Sequence, residues 1–243
     1  MKNFITIFLA ATLLIMIVLI FIFSVPKTEV EYAKQGVIDL SETSYGEHQL
    51  INLDGEWEFY WNQLLEPADF GNSPSIPSYI NVPGHWLHDQ SGNTYQPEGY
   101  ATYRLMIVNV PANTSLGLRK QNIRSASKIF INGSLMLQDG QPTSSEETVL
   151  LGNSPQVSYF EIEGNTVELI IQVANYHYLV GGIGKSLILG QQQDIQEHSH
   201  KKIFFEVVII TIILVVGLIY LILYISIDVY RKREPAIMPF AFC

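Results

Sequence analysis

Two short stretches gather side chains able to hold a small molecule. The first runs from Gly84-His85-Trp86 through Tyr95 to Glu98-Gly99. The second is NYHYLVGGIGK, which begins with Asn175, Tyr176, His177 and Tyr178. Aromatic faces beside amide and carboxylate groups suit a sugar ring, which has an apolar face and a rim of hydroxyls. The competing explanation is that these rings pack beneath their own loops, because aromatics fill cores before they mark sites. Gly181, Gly182 and Gly184 would admit a ligand close to the backbone, or simply supply positive φ in a turn.

Arrangements that break bonds are harder to find. The sequence has no G-x-S-x-G elbow, no Gly-rich phosphate loop opening a helix and no H-E-x-x-H pair. Asp89 and Glu98 lie in one loop, but a glycosidase carboxylate pair needs a separation that the sequence does not set. Glu197, His198 and His200 are metal-ligand types within four residues, which is weak support for a metal site. The expectation is a binding protein: not an enzyme, with no metal and no cofactor.

The elements that must position these loops read as short strands. Trp57, Phe59 and Trp61 alternate with Glu56 and Glu58, a half-buried strand whose aromatic face belongs to a core. Tyr79 to Val82 stops at Pro83-Gly84. Tyr103, Leu105 and Ile107 alternate, and Arg104, Met106 and Val108 on the other face predict a central strand covered on both sides. Ile129 and Ile131 lead into Asn132-Gly133, a strong hairpin signal. Val167 to Val173 keeps a period of two, and Ser186 to Leu189 closes the series. With no helical period between residues 50 and 190, the predicted fold is an all-β antiparallel sandwich, a jelly roll, flanked by transmembrane α-helices.

The flanks follow from composition. The chain is 48% hydrophobic and 15% charged, against roughly 25% charged residues in ordinary soluble domains. Phe4 to Val25 and Val207 to Ile227 are uncharged runs of 22 and 21 residues. As helices they would span about 33 and 31 Å, enough for a bilayer core of about 30 Å. The first is longer than the roughly 7–15-residue core of a secretory signal, so a retained signal-anchor is expected over a cleaved signal peptide. Arg231, Lys232 and Arg233 follow the second run, and such clusters stay on the cytoplasmic side. Residues 28–202 are thereby expected on the periplasmic or extracellular face of a bacterial inner membrane. The expected organisation is a signal helix at 1–26, a linker at 27–49, a β-sandwich at 50–190 and a juxtamembrane tether at 191–202. A transmembrane helix at 203–230 and a cytoplasmic turn at 231–243 complete it.

Between Thr28 and His200 there are 20 acidic and 7 basic residues, a net charge of −13. Nucleic acid is excluded as a partner, since phosphate binding needs clustered Lys and Arg. The one cysteine, Cys243, leaves the sandwich without a disulfide.

The motifs LDGEWEFYWNQLL, INVPGHW, GYATYRLMI, KIFINGSLM, VELIIQVANYHYLVGG and SLILG resemble, in this order, the all-β extracellular domain of bacterial seven-transmembrane receptors with diverse intracellular signalling modules. The resemblance covers about Leu50 to Gly190, and the apolar run that follows looks like the first of that family's seven helices. It implies a galactose-binding-like jelly roll that senses a ligand, a carbohydrate among the candidates. It also implies a cytoplasmic output module (histidine kinase, diguanylate cyclase or phosphatase) in a longer chain. The same motifs resemble the sugar-binding sandwich of β-galactosidase and β-glucuronidase-type glycosidases, whose catalytic barrel has no room here. Gly55, Trp57, Pro83, Trp86, Tyr103, Asn132 and Gly133 are shared by both groups and are read as structural. Two functions follow: the sensing input region of a transmembrane receptor, or a membrane-anchored carbohydrate-binding module without signalling. The expected partners are the lipid bilayer, a small-molecule ligand and the output module; a homodimer is compatible with either function.

Overall fold

The computed structural model describes residues 29–41, 50–72 and 76–233. The first apolar run, residues 4–25, and the turn after Arg233 lie outside the described residues. Residues 27–197 form one compact unit, and the described residues from His198 onward belong to a second.

Eleven strands build the first unit: β1 (Glu29–Ala33), β2 (Val37–Asp39), β3 (Leu50–Trp61), β4 (Ser78–Val82), β5 (Gly99–Val108), β6 (Thr114–Lys120), β7 (Ala126–Ile131), β8 (Ser134–Asp139), β9 (Gln156–Ile162), β10 (Thr166–Asn175) and β11 (Ile188–Gln191). They pair in the order β8-β7-β10-β5-β3-β11-β6-β9, with β1 and β4 also on β3 and β2 on β5. Pairing is antiparallel except for β1–β3 and β2–β5, which are parallel. The hydrogen-bonded array curls over its own apolar face into an all-β sandwich that is nearly a barrel.

β3 explains how one array makes two layers. Its first residues pair with β11 and β1, and its last with β4 and β5. The direction changes at Gly55, where φ is +112° and an added Cβ would lie 2.5 Å from the Ala33 backbone nitrogen and oxygen. Only glycine fits both demands. Trp57 and Phe59 then point inward and are buried, and the Trp57 indole N–H donates to the Leu53 carbonyl at 3.1 Å. β5 sits between β3 and β10 as its two-sided pattern predicts. Tyr103, Leu105 and Ile107 face the core, while Arg104 on the outer face bonds Glu168 (2.7 Å) and pairs with Glu58 (3.3 Å). β7 and β8 join through Asn132-Gly133, both at positive φ, as a tight hairpin requires. The Val82–Pro83 peptide after β4 is cis.

Three expectations need correction. Residues 27–49, expected as a linker, contribute β1 and β2. These strands are too short to show periodicity, and their partners β3 and β5 supply the pairing. The array is therefore mixed rather than purely antiparallel. The stretch 191–202, expected as a tether, holds no loop: Gln191 ends β11 and α1 covers Gln192–Arg233 directly after it. Gln and Glu are good helix formers and Asp194 suits the positive end of the dipole. The first turn packs within the β unit, where Ile195 is fully buried with Leu50 and Ile188.

In the second unit, α1 is long and apolar enough by length and composition to cross a membrane. Its large apolar side chains from Ile203 to Ile225 are mostly exposed.

Candidate functional site

The loop after β4 and the loop after β10 do meet. The Gly84 N–H donates to the Ile183 carbonyl (2.8 Å), and the Trp86 N–H to the Gly181 carbonyl (3.2 Å). A third segment, between β6 and β7, joins through a backbone bridge from Arg124 to Gly182. Between these strips lies a cleft of about 330 Å³, lined by His85, Asn122, Arg124, Val180, Gly182, Gly184 and Lys185. Gly182 is needed for the junction itself: its φ is +118°, and a Cβ there would sit 2.8 Å from the Gly84 carbonyl oxygen.

The loops of the site rest on an aromatic cluster that does not itself line the cleft. The rings of Trp61 and Trp86 meet edge to face at 5.3 Å, Phe59 and Tyr95 at 5.2 Å, and Phe59 and Tyr103 at 5.0 Å, while Trp61 and Tyr95 are tilted at 5.1 Å. Trp86 is fully buried and its indole N–H donates to the Gln96 carbonyl at 3.0 Å. This corrects its expected contact with a ligand: the ring is a wedge under Gly181, where even a Cβ would overlap it. Tyr95 is half-buried, and its hydroxyl donates to Asp89 Oδ2 at 2.6 Å.

Asp89 organises the first loop. Its carboxylate accepts from the Ser91 and Asn93 backbone (2.9 Å each), from Asn93 Nδ2 (2.7 Å) and from Tyr95. Burial alone would raise its pKa, but these donors outweigh burial and hold the carboxyl below its usual range. With both oxygens engaged it is a loop anchor, while Glu98 is exposed.

Asn175 is also corrected from ligand contact to support. It is fully buried, donates to the carbonyls of Pro97 (2.9 Å) and Tyr178 (2.8 Å), and accepts from the Tyr178 N–H (3.1 Å). The amide thus ties the two loops together and sets Tyr178, whose ring lies 5.0 Å from the Arg124 guanidinium. That cation–π contact leads from a buried Asn to a cation at the cleft. Tyr176 is half-buried with its hydroxyl donating to the Thr143 carbonyl (3.1 Å), and His177 is exposed.

Of the eight sequence-derived candidates, only His85 lines the cleft. Asn122, Arg124 and Lys185 were not singled out. The usable signal was charge: the acidic β unit has few basic residues, and Arg124 and Lys185 each sit in a Gly- or Asn-bearing loop. Among the described residues no group of three His, Cys, Asp or Glu side chains converges as a metal site would.

Fold and cleft together define an all-β sandwich with a small polar depression where three loops join. No family model matches the sequence, and no curated protein does. Similar solved structures include a β-glucuronidase from Faecalibacterium prausnitzii, 17% identical with a TM-score of 0.45, covering 59% of this chain and 31% of that one. A Ruminococcus gnavus β-glucuronidase is 16% identical with a TM-score of 0.44, covering 59% of this chain and 28% of that one. A putative β-galactosidase from Bacteroides fragilis is 18% identical with a TM-score of 0.41, covering 58% of this chain and 23% of that one. The chain thus spans less than a third of the length of each. At these TM-scores the functional reading falls to the site itself.

Proposed function

We propose that residues 29–197 are the extracytoplasmic ligand-sensing input region of a bacterial transmembrane receptor. On this reading the sandwich is a galactose-binding-like jelly roll, residues 28–202 face the periplasm or the outside, and α1 is a span of a multi-pass inner-membrane protein. Its role is recognition rather than catalysis, with the output module carried by a longer chain.

The observation that carries this reading is the join between β11 and α1. Strand passes to helix with no loop between them, and Ile195 in the first turn is locked against β6. A Cβ on Gly117 would lie 2.9 Å from that of Ile195. Further along the same helix the apolar side chains are exposed, as a bilayer-facing surface demands. A flexible linker would dissipate a movement of the sandwich; a packed helical turn transmits it. To switch such a device nearly completely, a ligand must favour one state by about 5.5 kcal/mol.

Topology is the test. Protease added to spheroplasts should remove the β unit and leave α1 membrane-protected. A β unit cut only after lysis would place it on the wrong side and end the receptor reading. If protease removes the unit but ligand binding leaves α1 unmoved by spin labels, a non-signalling binding module stands instead.

A further inference from the structure

The cleft has a charge character opposite to that of its surroundings. Three of its seven lining residues, His85, Arg124 and Lys185, bear basic groups, and none bears a carboxylate. Its host segment carries 20 acidic residues against 7 basic. Two other cations of the β unit are paired within the fold: Arg104 with Glu58 and Glu168, and Lys120 with Asp139. Among the described residues Arg124 and Lys185 have no such carboxylate, yet the fold brings them into one depression from separate loops. Arg124 is steadied by the Tyr178 ring instead of by an acid, which leaves its fork of N–H donors to point elsewhere.

We propose that this cleft binds a small organic anion, its carboxylate or phosphate group held between Arg124 and Lys185. Asn122 and the backbone beside Gly182 and Gly184 face the remainder of the molecule. A guanidinium fork and an ammonium lining one cleft match the oxygens of either group. The volume of about 330 Å³ lies at the small end of the roughly 300–1,000 Å³ seen for small-molecule sites, which fits a single sugar-sized ring. The surrounding acidic surface repels anions in general, so selectivity rests on the cleft. The inference rests on the sensing reading and narrows its ligand from carbohydrates at large to acidic ones.

Titration calorimetry on the full 243-residue chain in detergent micelles, with glucuronate, glucose 6-phosphate and glucose, tests it. One of the two anionic sugars should bind while glucose does not, and which one binds separates carboxylate from phosphate. Arg124→Gln and Lys185→Gln should each weaken that binding about tenfold or more, and Arg124→Lys by less. Lys185 is exposed, so its variant keeps the test valid should the Arg124 variants fold poorly. Equal binding of glucose, untouched by either substitution, would overturn the anion site while leaving a sugar sensor in place. Absence of binding by all three would also overturn it, and the protease experiment would then judge the receptor topology independently.

Discussion

Lys120 closes β6, and Arg124 follows four residues later in the connection to β7, yet the fold treats the two cations in opposite ways. The Lys120 side chain is fully buried, with its ammonium 2.7 Å from Asp139 Oδ2 and 2.8 Å from the Ser154 carbonyl. Asp139 in turn accepts from the Ser154 N–H (2.7 Å) and hydroxyl (3.1 Å). Every charge there has an internal answer. Arg124 is exposed and rests on an aromatic face, and Lys185 across the cleft is exposed as well. A cation whose demands are met inside the protein holds structure together; one whose demands are left open at a depression is available to something else.

Deleting Lys120 is the severest way to break this contrast. Lys120→Ala leaves Asp139 buried without its counter-charge, and such losses run at about 3–5 kcal/mol. Urea denaturation should show that drop, whereas Lys185→Gln should stay within about 0.5 kcal/mol of the parent. Comparable effects from both would dissolve the distinction.

Next in size is Gly181→Ala. The new methyl overlaps the Trp86 ring, and overpacking of this kind costs about 1–3 kcal/mol. Because Trp86 packs against Gly181, the neighbour of the cleft-lining Val180 and Gly182, ligand affinity and stability should fall together. A stability unchanged from the parent would mean that Trp86 is freer than its burial implies.

Acid provides the gentlest probe. Burial pushes the Asp139 carboxyl up, but Lys120 and the Ser154 donors outweigh it and leave its pKa below the ordinary 3.8. A depressed carboxylate stabilises the fold fully above its unfolded value and loses that contribution as pH falls through the lower folded value. Asp89 acts in the same direction. Stability should therefore be level above about pH 5 and decline below about pH 4. The decline should shrink in Lys120→Ala, where the depressing charge is gone; an identical acid limb would assign it to other carboxylates.

How far the sequence carried differs between fold and site. Strands with an apolar period of two, such as Val167–Val173 in β10, and the Asn132-Gly133 turn were readable because local chemistry decides them. β6 and β9 were not. TSLGLRK shows no alternation because both of its faces are covered from Leu116 to Lys120, and Arg119 and Lys120 fill buried positions that pattern reading reserves for apolar residues. The two loops of the site were visible as clusters of aromatics and glycines. Their division of labour was not, since aromatic content cannot distinguish a ring that faces a ligand from one that props the loop from below. Trp86 and Asn175 went to support, and the cleft took its charges from Arg124, on a connection that only the pairing of β6, β7 and β10 brings near.

All three tryptophans of the chain, Trp57, Trp61 and Trp86, lie in β3 or in the first loop of the site, and α1 has none. Tryptophan emission from this protein therefore comes wholly from the β unit, and two of its three emitters, Trp61 and Trp86, form an edge-to-face pair at the core next to the loop junction. Excited at the red edge of its absorption, the molecule thus carries its own optical gauge, set in the aromatic cluster that packs against the loops of the site.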